Sequence, residues 1–563
     1  MLFGRTAGRI REYWAYHGGA YTLRRGAEKA VQRLFGTYNR QWRKARPTAE
    51  QLAAQRAAQP PAGCLALVIP VYNTDPGMLR ALLNSISAQT YENWQAILYD
   101  GRSTSAATLE VLTEAEALDS RFRVFRGEEN LGIAGNTNRA LSLAETEFVL
   151  LCDHDDLLSP EALWRMAEGI LLPDEQGNPP DMLFSDEDRM TEDGRTRMDP
   201  HWKTDYAPVS LLSHNYICHL TAVRRSLLLE IGGLRDGFEG SQDHDLFLRL
   251  AERTDRIRHL PYTLYTWREN FSSMSHRNEL ACLLSGCRAV EEHERRMGHP
   301  VTAIPVQREI RLWYEVSPEA SVQVLIHGPS EKACAGAWAE LWDRSPWTNL
   351  SGKPVIVGEA DLYLALNRAV AASDAEYILL MDARLRGMNR HFLRELLMYA
   401  QREDVSAVTP VLVDDRSRIL HGGFAVGMRG GARCVNENLF VTAGGWHDAM
   451  NRVHNVAAVS PCAALLRRAA FIPFDESYTS ALGMVDWCLR QRKEHRRWAV
   501  FTPHAVACME KDPLLLLSEP ADSAPPDLSR YLSAYPREHD PCYSPRFSHD
   551  KANYRMKSFD GNR

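Results

Sequence analysis

Between residues 65 and 156, short apolar runs alternate with helical stretches, and two of the runs end in acids. LALVIPV, WQAILYD, FRVFR and EFVLLCD are short and bounded by helix or turn signals, as buried parallel strands are. PGMLRALLNSISAQT, SAATLEVLTEAEAL and AGNTNRALSLA have helical periodicity, with Pro76 near the start of the first. This alternation with short connections specifies an open, doubly wound α/β sheet. Ligands of such sheets bind at the carboxyl ends of the strands. Asp100 and the cluster Asp153-His154-Asp155-Asp156 stand at two of those ends.

The pattern returns further along the chain. SVQVLIHGP reads as a strand, LYLALNRAVAAS as a helix, AEYILLMDARL as a strand ending in an acid, FLRELLMYAQRE as a helix and VSAVTPVLV as a strand. TNRALSLAETEFVLLCDHDD and LNRAVAASDAEYILLMDARL correspond closely, which implies an internal duplication at a period of about 230 residues, a pair of related domains. The expected organisation is a basic arm and linker (1–63), a first α/β domain (64–305), a second (306–515), and a linker with a C-terminal tail (516–563).

The chain has 563 residues, enough to bury large cores without staples. No apolar run approaches a membrane span of about 20 residues, and the N-terminus lacks a secretory apolar region before a small-residue cleavage site. The 11 cysteines form no CxxC pair and read as reduced thiols of a cytoplasmic protein. Residues 1–46 hold eleven Lys/Arg and two acids, a net +9, so the overall −6 leaves −15 on the remainder. This arm also carries Tyr13, Trp14, Tyr16, Tyr21, Phe35, Tyr38 and Trp42. Basic residues with interfacial aromatics suit the headgroup layer of an anionic membrane. A helix docked on the protein's own body fits as well. Nucleic acid fits less well, because nothing downstream looks like a reader of bases.

Three acids in four positions repel one another unless a cation or a donor sits among them. Hard oxygen ligands with open positions suit Mg²⁺ or Mn²⁺ bound together with substrate phosphates. A solvated acidic loop or a helix cap is the alternative. Neither GxGxxG after the first strand nor GxxxxGK[ST] occurs, so dinucleotide and P-loop chemistry are not expected. In GSQDHDLFLRL, acids open a second amphipathic helix. A carboxylate there is favoured as the anion by the helix dipole and can still take a hydroxyl proton in a transition state.

LALVIPVYN, YDGRSTS, ENLGIAGNTNRAL, LLCDHDDLLSPEAL, DMLFSDED, HWKTDY, HNYICHLTAVRRSLL and EGSQDHDLFLRL together resemble a family-2 glycosyltransferase of the GT-A fold. The likeness is to the bacterial tandem-domain type of O-antigen and rhamnan-type polysaccharide synthesis, strong over about 64–270 and weaker over about 310–510. The resemblance implies two tandem GT-A-like domains and inverting transfer from a UDP- or dTDP-linked sugar to a glycan or lipid-linked glycan. It assigns Asp153 and Asp155 to the metal, and Asp100 to the nucleotide base. Pro70, Tyr72, Asn73, Asn138, Asp186, Glu187, Asp188 and Lys203 go to the nucleotide or donor. Asp243 is the implied general base, with Gln242, Trp267 and Arg268 nearby.

The sequence departs from the family pattern at Gly101, Thr137 and Thr266, where Asp, Arg and His are usual. In the second repeat the strand end reads Asp382-Ala383-Arg384, and the segment matching the base reads Gly483-Met484-Val485-Asp486. Methionine cannot take a proton, so the second domain is expected to keep the fold without activity. The rival reading is a non-catalytic scaffold or glycan-binding protein built from two such domains.

Overall fold

The computed structural model describes residues 37–174, 176–191, 194–269, 278–328, 330–345, 347, 349–356, 361–429, 431–511, 513–517, 525–536, 538–550 and 552–557. Most of the basic arm, residues 1–36, and with it the expected membrane contact, lies outside the described residues.

Strands β1 (Leu65–Val71), β2 (Trp94–Asp100), β3 (Phe122–Arg126) and β4 (Phe148–Leu151) form where the apolar runs predict them. Every residue of β1 and β4 is buried, as sheet strands covered on both faces require. β5 (Leu157–Leu158), β6 (Met182–Met190), β7 (Arg197–His201), β8 (Thr221–Arg224) and β9 (Ile257–Arg268) complete the first sheet. Its order is β3-β2-β1-β4-β8-β6-β9-β5, with β7 beside β6. β8 runs antiparallel to both neighbours, while β6 and β9 are parallel. The helix after β1 starts where expected: Pro76 sits in its first turn and Asp75 accepts the Met78 N–H.

A hairpin of β10 (Val301–Val306) and β11 (Glu309–Tyr314) follows. The second unit holds β12 (Val322–Gly328), β13 (Leu350–Ile356), β14 (Tyr377–Asp382), β15 (Val405–Val413), β16 (Ile419–His421), β17 (Phe424–Met428), β18 (Gly431–Cys434), β19 (His454–Val456), β20 (Ala463–Arg467) and β21 (Trp498–Cys508). Its sheet runs β13-β12-β14-β20-β15-β21-β19. Matched strand for strand, β2-β1-β4-β8-β6-β9 recurs as β13-β12-β14-β20-β15-β21, with the same single antiparallel insertion.

Side chains repeat with the topology. Asn138 clamps the Leu234 backbone with both amide atoms, Nδ2 to O at 2.8 Å and N to Oδ1 at 2.9 Å. Asn367 clamps Phe474 in the same way at 3.0 and 2.9 Å. Asp245 and Asp486 each bind an arginine one turn on, Arg249 and Arg490.

The two units share one apolar core, which runs from Val68 and Leu248 through Leu312 and Tyr314 of the hairpin to Leu380 and Trp487. The C-terminal stretch read as a tail folds back between them. Its Tyr543 and Phe547 pack with Tyr38, Trp202 and Ala425, because an aromatic-rich segment has more to gain from burial than from solvent. Asp540 accepts the Val426 N–H, and Asp205 donates its N–H to Pro541 O. The described end of the basic arm also docks on the body: Tyr38 donates to Asp188 at 2.8 Å, and Arg197 stacks on Trp42. Among the described residues no helix is long and apolar enough to cross a membrane.

Candidate active site

The carboxyl ends of β1 and β2 are stitched together by Asn73, whose Oδ1 accepts the N–H groups of Thr104 and Ser105. Beside it Asp100 is buried and accepts the Ser103 N–H at 2.9 Å. Pro70 closes the buried strand, and Tyr72 is 45% exposed next to it. These four sequence candidates therefore lie at one strand-end ledge. Gly101 leaves room there for a neighbour: a Cβ would stand 2.3 Å from Asn136 Nδ2, so a larger residue would require that side chain to move.

After β4 the acids divide into roles. Asp156 accepts from Tyr265 Oη at 2.7 Å and from the Arg268 N–H at 2.8 Å. Burial, with Asp155 and Asp153 close by, pushes its carboxyl well above the usual range. Arg268 Nη2 also reaches Met78 O at 2.6 Å and its Nε the Asp155 carbonyl at 2.5 Å. Arg268 therefore fixes the turn rather than facing a ligand. Asp153 pairs with His219 Nε2 at 3.4 Å. Burial opposes ionisation of Asp153, but His219 outweighs it and holds the carboxyl below its ordinary value. Burial would likewise lower His219, yet Asp153, with Asp243 and Glu187 farther off, pushes it up to about 9.

Asp243 opens the helix Gln242–Ala251. Its Oδ2 accepts from Asn215 Nδ2 at 2.9 Å, its Oδ1 from the His244 N–H at 2.9 Å, and burial raises its affinity for a proton. Gln242 turns back to accept the Gly240 N–H at 2.8 Å. His219 thus lies electrostatically between the strand-end acids and Asp243. Its HNYICHL segment had no assigned role, because no spacing links it to acids 66 residues upstream.

The β6 acids differ from expectation. Asp186 and Asp188 are 0% exposed. Asp186 Oδ1 accepts from the Lys203 N–H and from His259 Nε2, both at 2.8 Å. Asp188 binds Tyr38, Arg197 and Thr266. Lys203 is buried, and its ammonium donates to Glu187 Oε2 at 3.1 Å, to His219 O at 2.8 Å and to Ile217 O. Those three bonds use all its donors, so in this arrangement it orders Glu187 and the His219 backbone and has no donor left for a phosphate. Asn138 is committed to Leu234, and Thr137 to Ile133 O at 2.7 Å within its own helix. Thr266 is buried, and its hydroxyl donates to Asp188 at 2.7 Å.

Burial acts to raise Glu187, but Lys203 and His201 prevail and hold it at about 2. A depressed carboxyl adds stability above its unfolded value of about 4.3. That contribution is lost as pH falls toward about 2. The melting temperature of the Glu187→Gln variant is therefore expected to fall less steeply than wild type across this window; parallel curves would contradict the linkage.

A cavity of about 270 Å³ opens beside Asp243's partner Asn215, lined by Glu187, His214, Trp267 and Glu309 among others. Burial pushes Glu309 up to about 7 against the pull of Arg452.

In the second unit the matching strand end is shut. Arg384 grips Asp382 with Nε at 2.9 Å and Nη2 at 2.7 Å. Met484 donates its N–H to Tyr363 Oη, and Asp486 is held by Arg490 and Tyr535.

Asp100 and the acids after β4 stand at the carboxyl ends of parallel strands, where open α/β sheets bind their ligands. Residues 66–232 match the family model of glycosyl transferase family 2, so the chain carries a domain of that family. Among curated relatives, an uncharacterized protein of Sinorhizobium fredii, y4gI, is 31% identical over 468 residues, covering 76% of this chain and 51% of that protein. The O-antigen biosynthesis protein RfbC of Myxococcus xanthus is 30% identical over 424 residues, covering 69% of this chain and 32% of that one. The chain thus spans about half the length of the first and about a third of the second. Among solved structures, S. aureus TarS 1-349 in complex with UDP-GlcNAc is similar at 22% identity, covering 41% of this chain and 66% of that one, with a TM-score of 0.34.

Proposed function

We propose that the chain is an inverting glycosyltransferase that moves a sugar from a UDP- or dTDP-linked donor to a bacterial surface glycan such as O-antigen. The observation carrying this reading is the run of charge from Asp153 through His219 to Asp243 at one end of the first sheet.

The ledge of Pro70, Tyr72, Asn73 and Asp100 receives the nucleotide, and the acids after β4 face its diphosphate. Among the described residues no three His, Cys, Asp or Glu side chains converge on one point to enclose a metal. Asp156 is committed to Tyr265 and Arg268, which leaves Asp153 and Asp155. Two hard carboxylates fit an ion whose other ligands come from substrate phosphate and water. Mg²⁺ or Mn²⁺ held there would neutralise charge on the diphosphate. Asp243 takes the proton of the acceptor hydroxyl as that oxygen bonds to the anomeric carbon. The bond from that carbon to the diphosphate oxygen breaks, and its electron pair leaves on the diphosphate. One displacement from the opposite face inverts the configuration. Arg384 and Met484 support a second unit without transfer chemistry, and the anionic leaflet stays a proposed partner of the arm.

The test is thermal shift of the full chain against nucleotide sugars with and without Mn²⁺. Ligand at 100 times its Kd stabilises by about 2.7 kcal/mol. A rise for one nucleotide that needs Mn²⁺ and disappears in Asp155→Asn is expected. A rise indifferent to both, or none across the panel, overturns the reading.

A further inference from the structure

The cavity beside Asp243 is not made by the first unit alone. Its far wall comes from the second unit, through His447 and Asp448, and from the hairpin between them, through Arg308 and Glu309. His447 and Asp448 sit in the short helical segment Trp446–Asn451 with φ of 45° and 59°. Two successive non-glycine residues in the left-handed region persist only where surroundings hold them there. Here they are held firmly. His447 Nε2 meets Pro200 O at 2.8 Å and its ring lies 4.8 Å from that of His201. Trp446 stacks on Trp202 at 5.8 Å, and Phe547 of the C-terminal segment packs against it.

The cavity also has unused hydrogen-bonding capacity. Three lining side chains keep a buried polar atom with no hydrogen-bond partner: Glu309 Oε2, Asn215 Oδ1 and Trp267 Nε1. Glu309 is only 8% exposed, and its other oxygen is bound by Arg452 at 3.0 Å. His214 Nδ1 stands 3.6 Å from the free oxygen, beyond a hydrogen bond. Buried acceptors and an indole N–H without partners mark a place where a polar ligand completes the set. The lining arginines, Arg189 and Arg308, are each paired with an acid, Asp199 at 4.0 Å and Glu279 at 2.6 Å, so neither stands open to the charge of a phosphate or a uronate.

From this we infer that the second unit is a working part of the acceptor site. Through His447 and Asp448, with Glu309, it closes a subsite for a neutral, polyhydroxylated sugar next to Asp243. The inference rests on the transferase reading for the role of the bound sugar. The subsite itself needs only that a sugar binds. Hydroxyl groups would donate to Glu309 Oε2 and Asn215 Oδ1 and accept from the Trp267 N–H, while the indole edge offers an apolar surface to a sugar ring.

The experiment is direct binding by the full chain, with UDP and Mn²⁺ present. The probes are neutral oligosaccharides of glucose, galactose, rhamnose and N-acetylglucosamine, each paired with a matched chain carrying glucuronate. Neutral probes are expected to bind more tightly than their acidic counterparts. His447→Ala and Asp448→Asn are expected to weaken binding of the best neutral probe by at least about tenfold, or 1.4 kcal/mol, with the nucleotide-induced thermal shift retained. That retained shift shows that the variants are folded. Wild-type affinity in both variants, equal affinity for glucuronate chains, or no glycan binding overturns the subsite. Glycan binding lost in the variants without any transfer by wild type upholds the subsite and overturns the transferase reading instead.

Discussion

Replacing Asp243 with asparagine is expected to lower kcat by about 10²–10⁴-fold, the range that general-base catalysis supplies. The change keeps the shape of the side chain and an acceptor oxygen for one of its two contacts, with Asn215 or with the His244 N–H, and removes the basic site. Burial, which raises the proton affinity of Asp243, improves it as a base toward a hydroxyl losing its proton. The proposed function puts nucleotide binding on the β1–β2 ledge and the acids after β4, so the metal-dependent thermal shift should persist. Loss in kcat with unchanged donor affinity is the pattern of an interaction made in the transition state. A variant with undiminished turnover would remove Asp243 from the chemistry and return weight to the scaffold reading.

The second large effect is structural. Arg402 is buried and donates to Asp404 with Nε at 2.9 Å and Nη2 at 3.0 Å, to Tyr314 Oη at 3.2 Å, and to Glu294 Oε2. Glu294 belongs to the helix Glu279–Arg296, Tyr314 to the hairpin, and Arg402 and Asp404 to the loop leading into β15. Tyr314 Oη also donates to Glu294 at 2.8 Å. Removing the cation strands Glu294 in a fully buried position, so Arg402→Met is expected to cost about 3–5 kcal/mol. Urea unfolding followed by fluorescence and by circular dichroism checks it. Because the core is continuous, both probes should move together to a lower midpoint in the variant. A shift below about 1 kcal/mol would mean that water or a rearrangement reaches Glu294.

Much of the frame was legible because local chemistry dictates it. Short β-branched apolar runs such as LALVIPV favour buried strands, and Asp75-Pro76 announces the helix that follows. The corresponding Asn-Arg-Ala helices foretold the repeated sheet. The site was legible where acids end strands and where Asp243 opens a helix. It was not legible where a side chain is used up by a distant partner. Lys203 reads as a phosphate ligand until its ammonium is seen filled by two carbonyls and Glu187. Asn138 reads as a donor contact until its clamp on Leu234, 96 residues on, is in view. His219 gains its place from a strand that runs antiparallel to β4. No periodicity encodes such pairings, and the same holds for the His447–Asp448 wall.

The hairpin Val301–Tyr314, with strands in both flanks' packing and Glu309 tied to Arg452, sets how this protein can be recombined. Cutting between the repeats and grafting a new catalytic half onto the old partner would expose apolar surface on both pieces and separate Glu309 from its arginine. A chimera that exchanges donor preference is better drawn inside the first sheet, swapping the loops after β1 and β2 while leaving everything from β8 onward intact. The same constraint applies to natural variation. The second repeat carries Arg384 where the first carries Asp155, yet its removal would bare apolar surface on its partner.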